Sequence, residues 1–503
     1  MNGDLILTCD AGTSSIKCSV FSAQGEALHT AALPYETAFP QPSWAQQAVE
    51  PIVGAMFSCI RTLLEQVSPS RIAVVGLSGT MNGCIPVDEA GRALHDNIIH
   101  SDARAAESLD EIRAVISERD FYRLTGNRID FHATLPKILW LRRHCPDVYA
   151  HARYFLNTKD YLYARLTGRA DCTDYSDAGL SLALDIRRRD WARDLLRELN
   201  LDENRMPRLL CGHDISGRVT AQAASLCGLL EGTPVAIGGG DGACAARGSG
   251  LYAPGSAYCC IGSSAWVSQL AEQPVDDPKA RLFHYVDLDG RSILCCGTVQ
   301  CGGDALNWGV RNLLGDQGPL PEALHRVEAL ARTVSPGAEG VYFLPTLMGE
   351  RTPYWDPHTR GNLLGFTLYH TPAHIARALY EGVAYALSGC AGILGECGLP
   401  VKSLMLVGGG AKSALWADML ASMIGVPARI HAYPASATSM GAAIAAGVGA
   451  GLFEGYEQAA GIVRASSVHP VNPAWQAAYR PCQALYAQLY DRLSPLFEQI
   501  AAQ

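Results

Sequence analysis

The chain has 503 residues, 48% hydrophobic and 18% charged, with 49 acidic against 40 basic side chains and a net charge of −9. That length exceeds one hydrophobic core, so two domains or three are expected, and the composition excludes a disordered chain. No basic stripe argues for a nucleic-acid partner, since the densest patch, Arg187-Arg-Arg189, is followed by Asp190 and reads as a solvated face opening a helix.

The N-terminus, Met1 to Leu7, lacks a basic region followed by an apolar stretch, so no signal peptide is expected. Leu5 to Cys9 reads as a strand, Asp10-Ala-Gly-Thr-Ser-Ser15 as a tight turn and Ile16 to Phe21 as a second strand. A turn at Gln24-Gly25 and a third strand from Ala27 complete an antiparallel meander. The Gly12–Ser15 loop presents backbone N–H groups and hydroxyls that suit a phosphate, although such a loop alone is more often a plain hairpin turn.

Arg71 to Leu77 is a continuous apolar strand of the type buried in a covered sheet. It runs into Ser78-Gly-Thr-Met-Asn-Gly83, which places Met81 and Asn82 at a strand's carboxyl end, where ligands bind in α/β folds. A second loop, Ile98 to Arg104, carries Asp102 and Arg104, which on spacing alone read as a surface ion pair starting a helix. From Ala105 to about Asn200 the pattern is helical with charged faces, broken at Thr158-Lys-Asp-Tyr161 and Asp174-Tyr-Ser-Asp-Ala178.

Near the middle, Pro234-Val-Ala-Ile237 reads as a short buried strand ending in Gly238-Gly-Gly240, after which Asp241 opens a helix of small residues. A strand that ends in glycines and delivers one acid can expose that acid in a cleft, so Asp241 is the candidate base. Ser256–Ile261, Gly262-Ser-Ser264 and Ala265–Leu270 then repeat the opening strand–hairpin–strand layout, which points to two domains of similar topology. The 17 cysteines are scattered, with no Cys-x-x-Cys pair, and read as reduced, buried thiols of a cytoplasmic protein.

The helix from Ala373 to about Leu394 carries Ile375, Leu379, Val383 and Leu387 on one core stripe. Leu404 to Val407 is a buried strand entering Gly408-Gly-Gly410, and Ser413 is placed to cap the next helix, a geometry that suits a nucleotide. The longest apolar stretch, Met440 to Phe453, is too short and glycine-rich to span a bilayer, so no membrane partner is expected.

Taken in order, these segments resemble the FGGY carbohydrate kinases, and most of all their xylulokinase branch, from about residue 4 to about 485. The residues carrying the likeness are Asp10 to Lys17, Thr158 to Tyr161, Gly238 to Asp241, Gly262 to Ser264, Met348-Gly-Glu-Arg-Thr-Pro-Tyr-Trp-Asp-Pro357 with Arg360 to Gly365, and Val407 to Ser413. The resemblance implies an α/β, two-domain actin/hexokinase-like (ribonuclease H-like) kinase fold with a central cleft. Residues 1–250 would hold the sugar and the base, and 251–503 the nucleotide. It implies ATP and Mg²⁺, with Asp241 as general base and Asp10 placing the metal. Gly12, Thr13, Ser14 and Lys17 would form one phosphate loop and Gly262, Ser263 and Ser264 the other. Gly409, Gly410 and Ser413 would hold adenosine, and Met81, Asn82, Asp102 and Arg104 the sugar.

Two positions depart from the branch: Asn82 stands where it places His, and His100 where an aromatic residue is common. A swapped hydrogen-bonding group can change which ketose is preferred. D-xylulose is the leading substrate, against another pentulose, a hexulose, a polyol or an autoinducer-2-type furanone. The tail motif Gly447 to Phe453 lends the furanone slight support, and Gly349-Glu-Arg-Thr352 favours the xylulokinase side. A base of ordinary pKa would suffice, Arg351 reads as a structural ion-pair residue, and a homodimer is left open. A sensor that binds sugar or nucleotide without catalysis is the reading from another class.

Overall fold

Two seven-stranded sheets, one in each half of the chain, organise the computed structural model, which describes residues 3–501. In the first half the strands Leu5–Ala11, Ser15–Ser22 and Ala27–Pro34 form the antiparallel meander read from the sequence. Ile72–Gly79 joins Leu5–Ala11 in parallel, and all eight of its residues are buried. A strand covered on both faces must be apolar throughout, which is why no alternation marks it in the sequence. Its far edge takes up Pro234–Val235 and then Gly239–Gly240, both parallel.

The helix Val49–Leu64 supplies the crossover between the meander and Ile72–Gly79. Its buried face repeats at helical spacing through Ile52, Met56, Ile60 and Leu63.

The second sheet repeats this plan. Ser256–Ile261 and Ala265–Ala271 form an antiparallel hairpin, Ile293–Val299 adds beside the returning strand, and Ser403–Val407 lies parallel to the first. The helix Pro372–Glu396 packs on it and is buried on almost every side, beyond the single stripe expected, with Arg377 and Glu381 paired at 2.6 Å inside the core.

Packing crosses the midpoint of the chain. The helix Ala437–Gly449 returns to the first sheet, where Met440, Ala443 and Ile444 pack with Ile6, Phe21, Val74 and Ala236. It also crosses the helix Asp241–Gly248 with backbone touching backbone: a Cβ on Gly441 would lie 1.8 Å from the carbonyl oxygen of Cys244.

The segment 105–200 is largely helical, as expected, but three of its local readings change. Arg187-Arg-Arg189 turns a hairpin between Leu184–Asp185 and Asp190–Trp191 rather than opening a helix. There Arg189 donates to the Arg291 carbonyl at 2.6 Å, on the far side of the midpoint. Thr158–Tyr161 and Asp174–Ala178 are helix starts rather than breaks. Asn157 and Asp160 form a capping box for Thr158–Thr167, and Asp174 caps Tyr175–Leu180.

All 17 cysteines are unbonded. Among the described residues no helix is long and apolar enough to cross a membrane.

The glycine contact is open to a direct test. Gly441→Ala forces two backbones apart and is expected to cost about 3 kcal/mol, the upper part of the usual overpacking range. It would be read as a lower urea midpoint at unchanged slope. A shift too small to resolve would mean that the two helices do not depend on this contact.

Candidate active site

Asp241 reaches its position because three glycines precede it. A Cβ at Gly238 would sit 1.7 Å from the Leu77 carbonyl oxygen, at Gly239 2.1 Å from Leu288 Cδ2, and at Gly240 2.4 Å from Met81 Cγ. Only bare backbone passes between these neighbours, and Gly238 also takes a φ of +70°. Gly239 and Gly240 then pair with Ser78 and Gly79, and the helix Asp241–Gly248 begins. Asp10 lies on the other side of the same strand, opposite Ser78. Two strand spacings separate Asp10 from Gly239, about 10 Å between Cα atoms.

Both carboxylates are shifted. Burial raises Asp10, opposed by the charge of Lys17. Burial, then the negative charge of Asp10, push Asp241 up to about 7, against the Gly242 N–H, which bonds its Oδ1 at 2.8 Å. An ordinary pKa would suffice for a base, and the rise comes from burial that no sequence pattern displays.

Asp241 faces a cleft of about 390 Å³ walled by both halves. Thr13, Met81 and Asn82 come from the first half, and Ser264, Trp266 and Tyr285 from the second. Asn82 holds a left-handed φ of 64°, and its carbonyl takes the ammonium of buried Lys137. Its side-chain Oδ1 is buried with no hydrogen-bond partner among the described residues, so it is free for a ligand's hydroxyl. His100 lines the same wall and is held near 4 by burial and by the charges of Lys137, His132 and Arg351, hence neutral at pH 7.

Asp102 and Arg104 lie outside this lining. They form an ion pair at 2.8 Å, with side chains 0% and 1% exposed, so the surface pair read from spacing is corrected to an internal one. Asp102 accepts from the Ala45 N–H, and the Arg104 guanidinium stacks 3.9 Å from the Trp44 ring. The pair braces the wall behind the cleft.

Arg351 moves in the opposite sense. Expected in a structural ion pair, its guanidinium makes neither an ion pair nor a hydrogen bond among the described residues, and it lines the cleft instead. Beside it stand Arg128, Asp130 and His132, none of them singled out in the sequence. Burial works to raise Asp130, but the His132 ring, 2.6 Å away, outweighs it and holds the carboxyl near 2. The signal was available in the polar run between two helices, Asn127 to His132.

The two hairpin turns both border the cleft and differ by one residue in length. Gly12 donates to the Ser15 carbonyl at 3.0 Å, and Gly262 to that of Ser264 at 2.9 Å. Tyr35 and Gln47 hold the first turn through the carbonyls of Gly12 and Thr13. The second turn is held by Gly302 and Gly303, at the start of the helix Gly303–Asn312, a Gly-Gly signal the sequence reading passed over. Thr13, Ser14 and Ser263 are exposed at the tips. Lys17 reaches away from its turn and donates to the Ala435 carbonyl at 2.7 Å. Gly409 has open space where a Cβ would stand, whereas Ser413 is buried, its hydroxyl capping the helix Ala414–Ile424.

Such a constellation can align a hydroxyl against a phosphate gripped between the two turns, and comparison with known proteins agrees. The profile of the FGGY family of carbohydrate kinases, N-terminal domain, matches residues 5–248, and the C-terminal profile matches 257–450. The chain belongs to the FGGY family of carbohydrate kinases. Xylulose kinase of Escherichia coli (strain K12) is 30% identical over 487 residues, covering 97% of this chain and 99% of that one. Ligand-bound xylulose kinase from Lactobacillus acidophilus superposes with a TM-score of 0.92 at 25% identity, covering 99% of both chains. Gluconate kinase from the same organism gives the same figures. The protein is therefore a sugar kinase of the two-domain actin/hexokinase-like fold.

Behind Asp241 lies a buried charge cluster. Lys159 Nζ sits 2.5 Å from Asp160, 3.1 Å from Asp174 and 3.5 Å from Asp177, every side chain at most 1% exposed. The three acids are close enough to share a metal ion, but the ammonium already lies among them. Burial raises Asp160 and Asp177, and Lys159 opposes the rise in both.

Lys159→Met keeps the side chain's length and removes its charge. Stranding these carboxylates is expected to destabilise the fold by about 3–5 kcal/mol at pH 7. The deficit should shrink as pH falls and protons neutralise the acids. A deficit independent of pH in urea titrations at pH 5 and pH 8 would show that the charge is not what matters.

Proposed function

We propose that this FGGY kinase transfers the γ-phosphoryl group of ATP to a primary hydroxyl of a small ketose, with D-xylulose first among the candidates. The observation that carries this reading is Asp241, an acid pushed up to about 7 in a cleft lined by both phosphate-facing turns. Such a carboxylate, when ionised, orients the acceptor hydroxyl and takes its proton as the new bond forms. A base poised near the working pH is the efficient choice. Phosphoryl transfer otherwise demands alignment and charge neutralisation more than covalent chemistry.

In this reading residues 1–250 bind the sugar through Met81 and Asn82 and supply the base, and 251–503 bind the nucleotide. Gly12 to Ser14 and Gly262 to Ser264 grip the phosphates, and Gly409 and Gly410 lie beside the adenosine. Asp10, whose buried carboxyl borders the first turn and has only Lys17 as a nearby cation, suits a metal counter-charge. It would hold Mg²⁺ through water, and the ion when bound would offset charge on the phosphate oxygens. Closing the halves would keep water from competing as acceptor.

Support for D-xylulose comes from the xylulose kinases that match over nearly the whole chain. The equal likeness to a gluconate kinase, together with Asn82 and His100, makes a panel of pentuloses, hexuloses, polyols and aldonates the right assay. ADP release that depends on one of them separates an enzyme from a sensor.

Two outcomes are expected at Asp241. Asp241→Asn should bind ATP normally and lose acceptor-dependent ADP release by several orders of magnitude; near-normal turnover would remove Asp241 from the mechanism. In the wild type, kcat/KM should rise with pH to a plateau, with its midpoint near 7. A profile already flat at pH 5 would contradict the raised pKa.

The same shift acts on stability. A carboxyl raised in the folded state binds a proton that the unfolded chain has released, so stability drains away as pH climbs from about 4 to about 7. Asp241→Asn escapes this loss and should melt above the wild type at pH 8, with the gap closing toward pH 4. An equal gap at both pH values would contradict it.

A further inference from the structure

The stretch that delivers Asp241 has no side chains of its own to anchor it. Gly238, Gly239 and Gly240 admit many backbone conformations, and precise placement of a base requires that something else select one. Pairing with Ser78 and Gly79 supplies part of the restraint. The rest comes from Ser176, whose hydroxyl accepts a hydrogen bond from the Gly240 N–H at 2.9 Å, one residue before the base.

A hydroxyl has one proton, and Ser176 gives it to Asp174 Oδ2, which also accepts from the Ser176 N–H at 2.7 Å. With its proton committed there, a lone pair is left facing Gly240. The other oxygen of Asp174 lies 3.1 Å from the Lys159 ammonium. The result is a directed chain running from Gly240 N–H through the Ser176 hydroxyl and the Asp174 carboxylate to Lys159. Ser176 and Asp174 are each 0% exposed, so no water competes for these bonds.

Lys159 also supports the neighbouring strand end, since a Cβ on Gly79 would lie 3.2 Å from Lys159 Cβ. One lysine thus touches both backbone segments that frame the base, the Gly79 segment through its Cβ and the Gly240 segment through Asp174 and Ser176.

We propose that Asp174 and Ser176 are positioning residues for catalysis, fixing the Gly240 peptide and through it the direction in which the Asp241 carboxylate points. The proposal rests on Asp241 being the base. Asp177 provides the internal control. It belongs to the same cluster and is equally buried, but neither of its oxygens has a hydrogen-bond partner among the described residues. Burial, opposed by Lys159 and reinforced by Asp174, Asp160 and Asp241, raises its carboxyl well above the ordinary range, and Asn in its place keeps the side chain's shape.

The test is a kinetic cycle on the full-length enzyme with ATP and the best acceptor from the panel. Ser176→Ala is expected to lower kcat about 10- to 100-fold, the scale of a misplacement of about 1 Å, with KM for ATP within twofold of wild type. Asp177→Asn should leave kcat within about twofold. In an Asp241→Asn background, Ser176→Ala should cause no further loss of the residual turnover, because there is no longer a base to misplace.

Wild-type kcat in Ser176→Ala would overturn the proposal. So would an equal loss in Asp177→Asn, or a loss that persists undiminished beside Asp241→Asn, since both indicate general damage to the fold. Near-normal turnover in Asp241→Asn alone would instead sink the base assignment. If Ser176→Ala does not fold, the volume-matched pair Ser176→Thr and Ser176→Val makes the same comparison, with the hydroxyl-bearing variant expected to turn over at least 10-fold faster and equal rates counting against the proposal.

Discussion

The constraint on which the rest of this structure depends is one ammonium buried among three carboxylates. Four ionisable groups taken out of water would each cost several kcal/mol if unpaired, and one cation cannot neutralise three anions. The remaining charge is handled in two ways. Asp174 spreads its own over the N–H groups and hydroxyl it accepts from at the start of Tyr175–Leu180. Burial raises the Asp177 carboxyl, which makes its ionised form the costlier one to keep there. What survives is a compact polar knot in an apolar interior, in which neither Lys159 nor Asp174 can turn without stranding a partner. The stiffness is spent where it is wanted, under the ends of Ile72–Gly79 and Gly239–Gly240, from which the cleft opens.

At the mouth the electrostatics run the other way. Asp10 and Asp241 face each other across a strand with no ammonium between them, and each raises the cost of ionising its neighbour. Left alone, such a pair resists carrying two charges. The arrangement is therefore better suited to a cationic ligand beside Asp10 than to an empty cleft, and relief of the repulsion would lower the pKa of Asp241 when that ligand arrives. The charges farther along the cleft are arranged differently again. Asp130 is matched by His132, whereas Arg128 and Arg351 face the cavity without an anionic partner among the described residues. That end of the cleft is positive and its base end negative.

Much of this was legible in the sequence, for identifiable reasons. Strand alternation and short Gly/Ser/Thr runs are local signals, so both hairpins, the repeat of the plan and the glycine-delivered acid could be read directly. Long-range convergence leaves no such trace. Lys159 and Asp174 are 15 positions apart, and a capping pattern shows only that each starts a helix. Lys17 sits in a local motif that gives no hint of its bond to the carbonyl of Ala435, 418 residues away. Asp102 and Arg104 show the same limit, since spacing allows an ion pair but cannot say whether Trp44 will cover it. The raised Asp241 also lay beyond local reading, because burial is a property of the assembled fold.

The helix Asp241–Gly248 gives the two halves a common member. Its first residue is fixed to the first sheet through Gly240. Its last turn is tied to the second half by Arg247, which pairs with Asp287 and with Asp289, the latter at 2.9 Å, while Gly441 presses on its backbone. Any rotation of one half against the other about this contact displaces atoms in proportion to their distance from it. Asp241, at the near end of a helix of eight residues, moves little. The hairpin tips at Thr13 and Ser263 lie out on the sheets and sweep farther. A cleft built in this way can open to exchange ligands without disturbing the placement of Asp241, which the buried cluster holds through Asp174, Ser176 and Gly240.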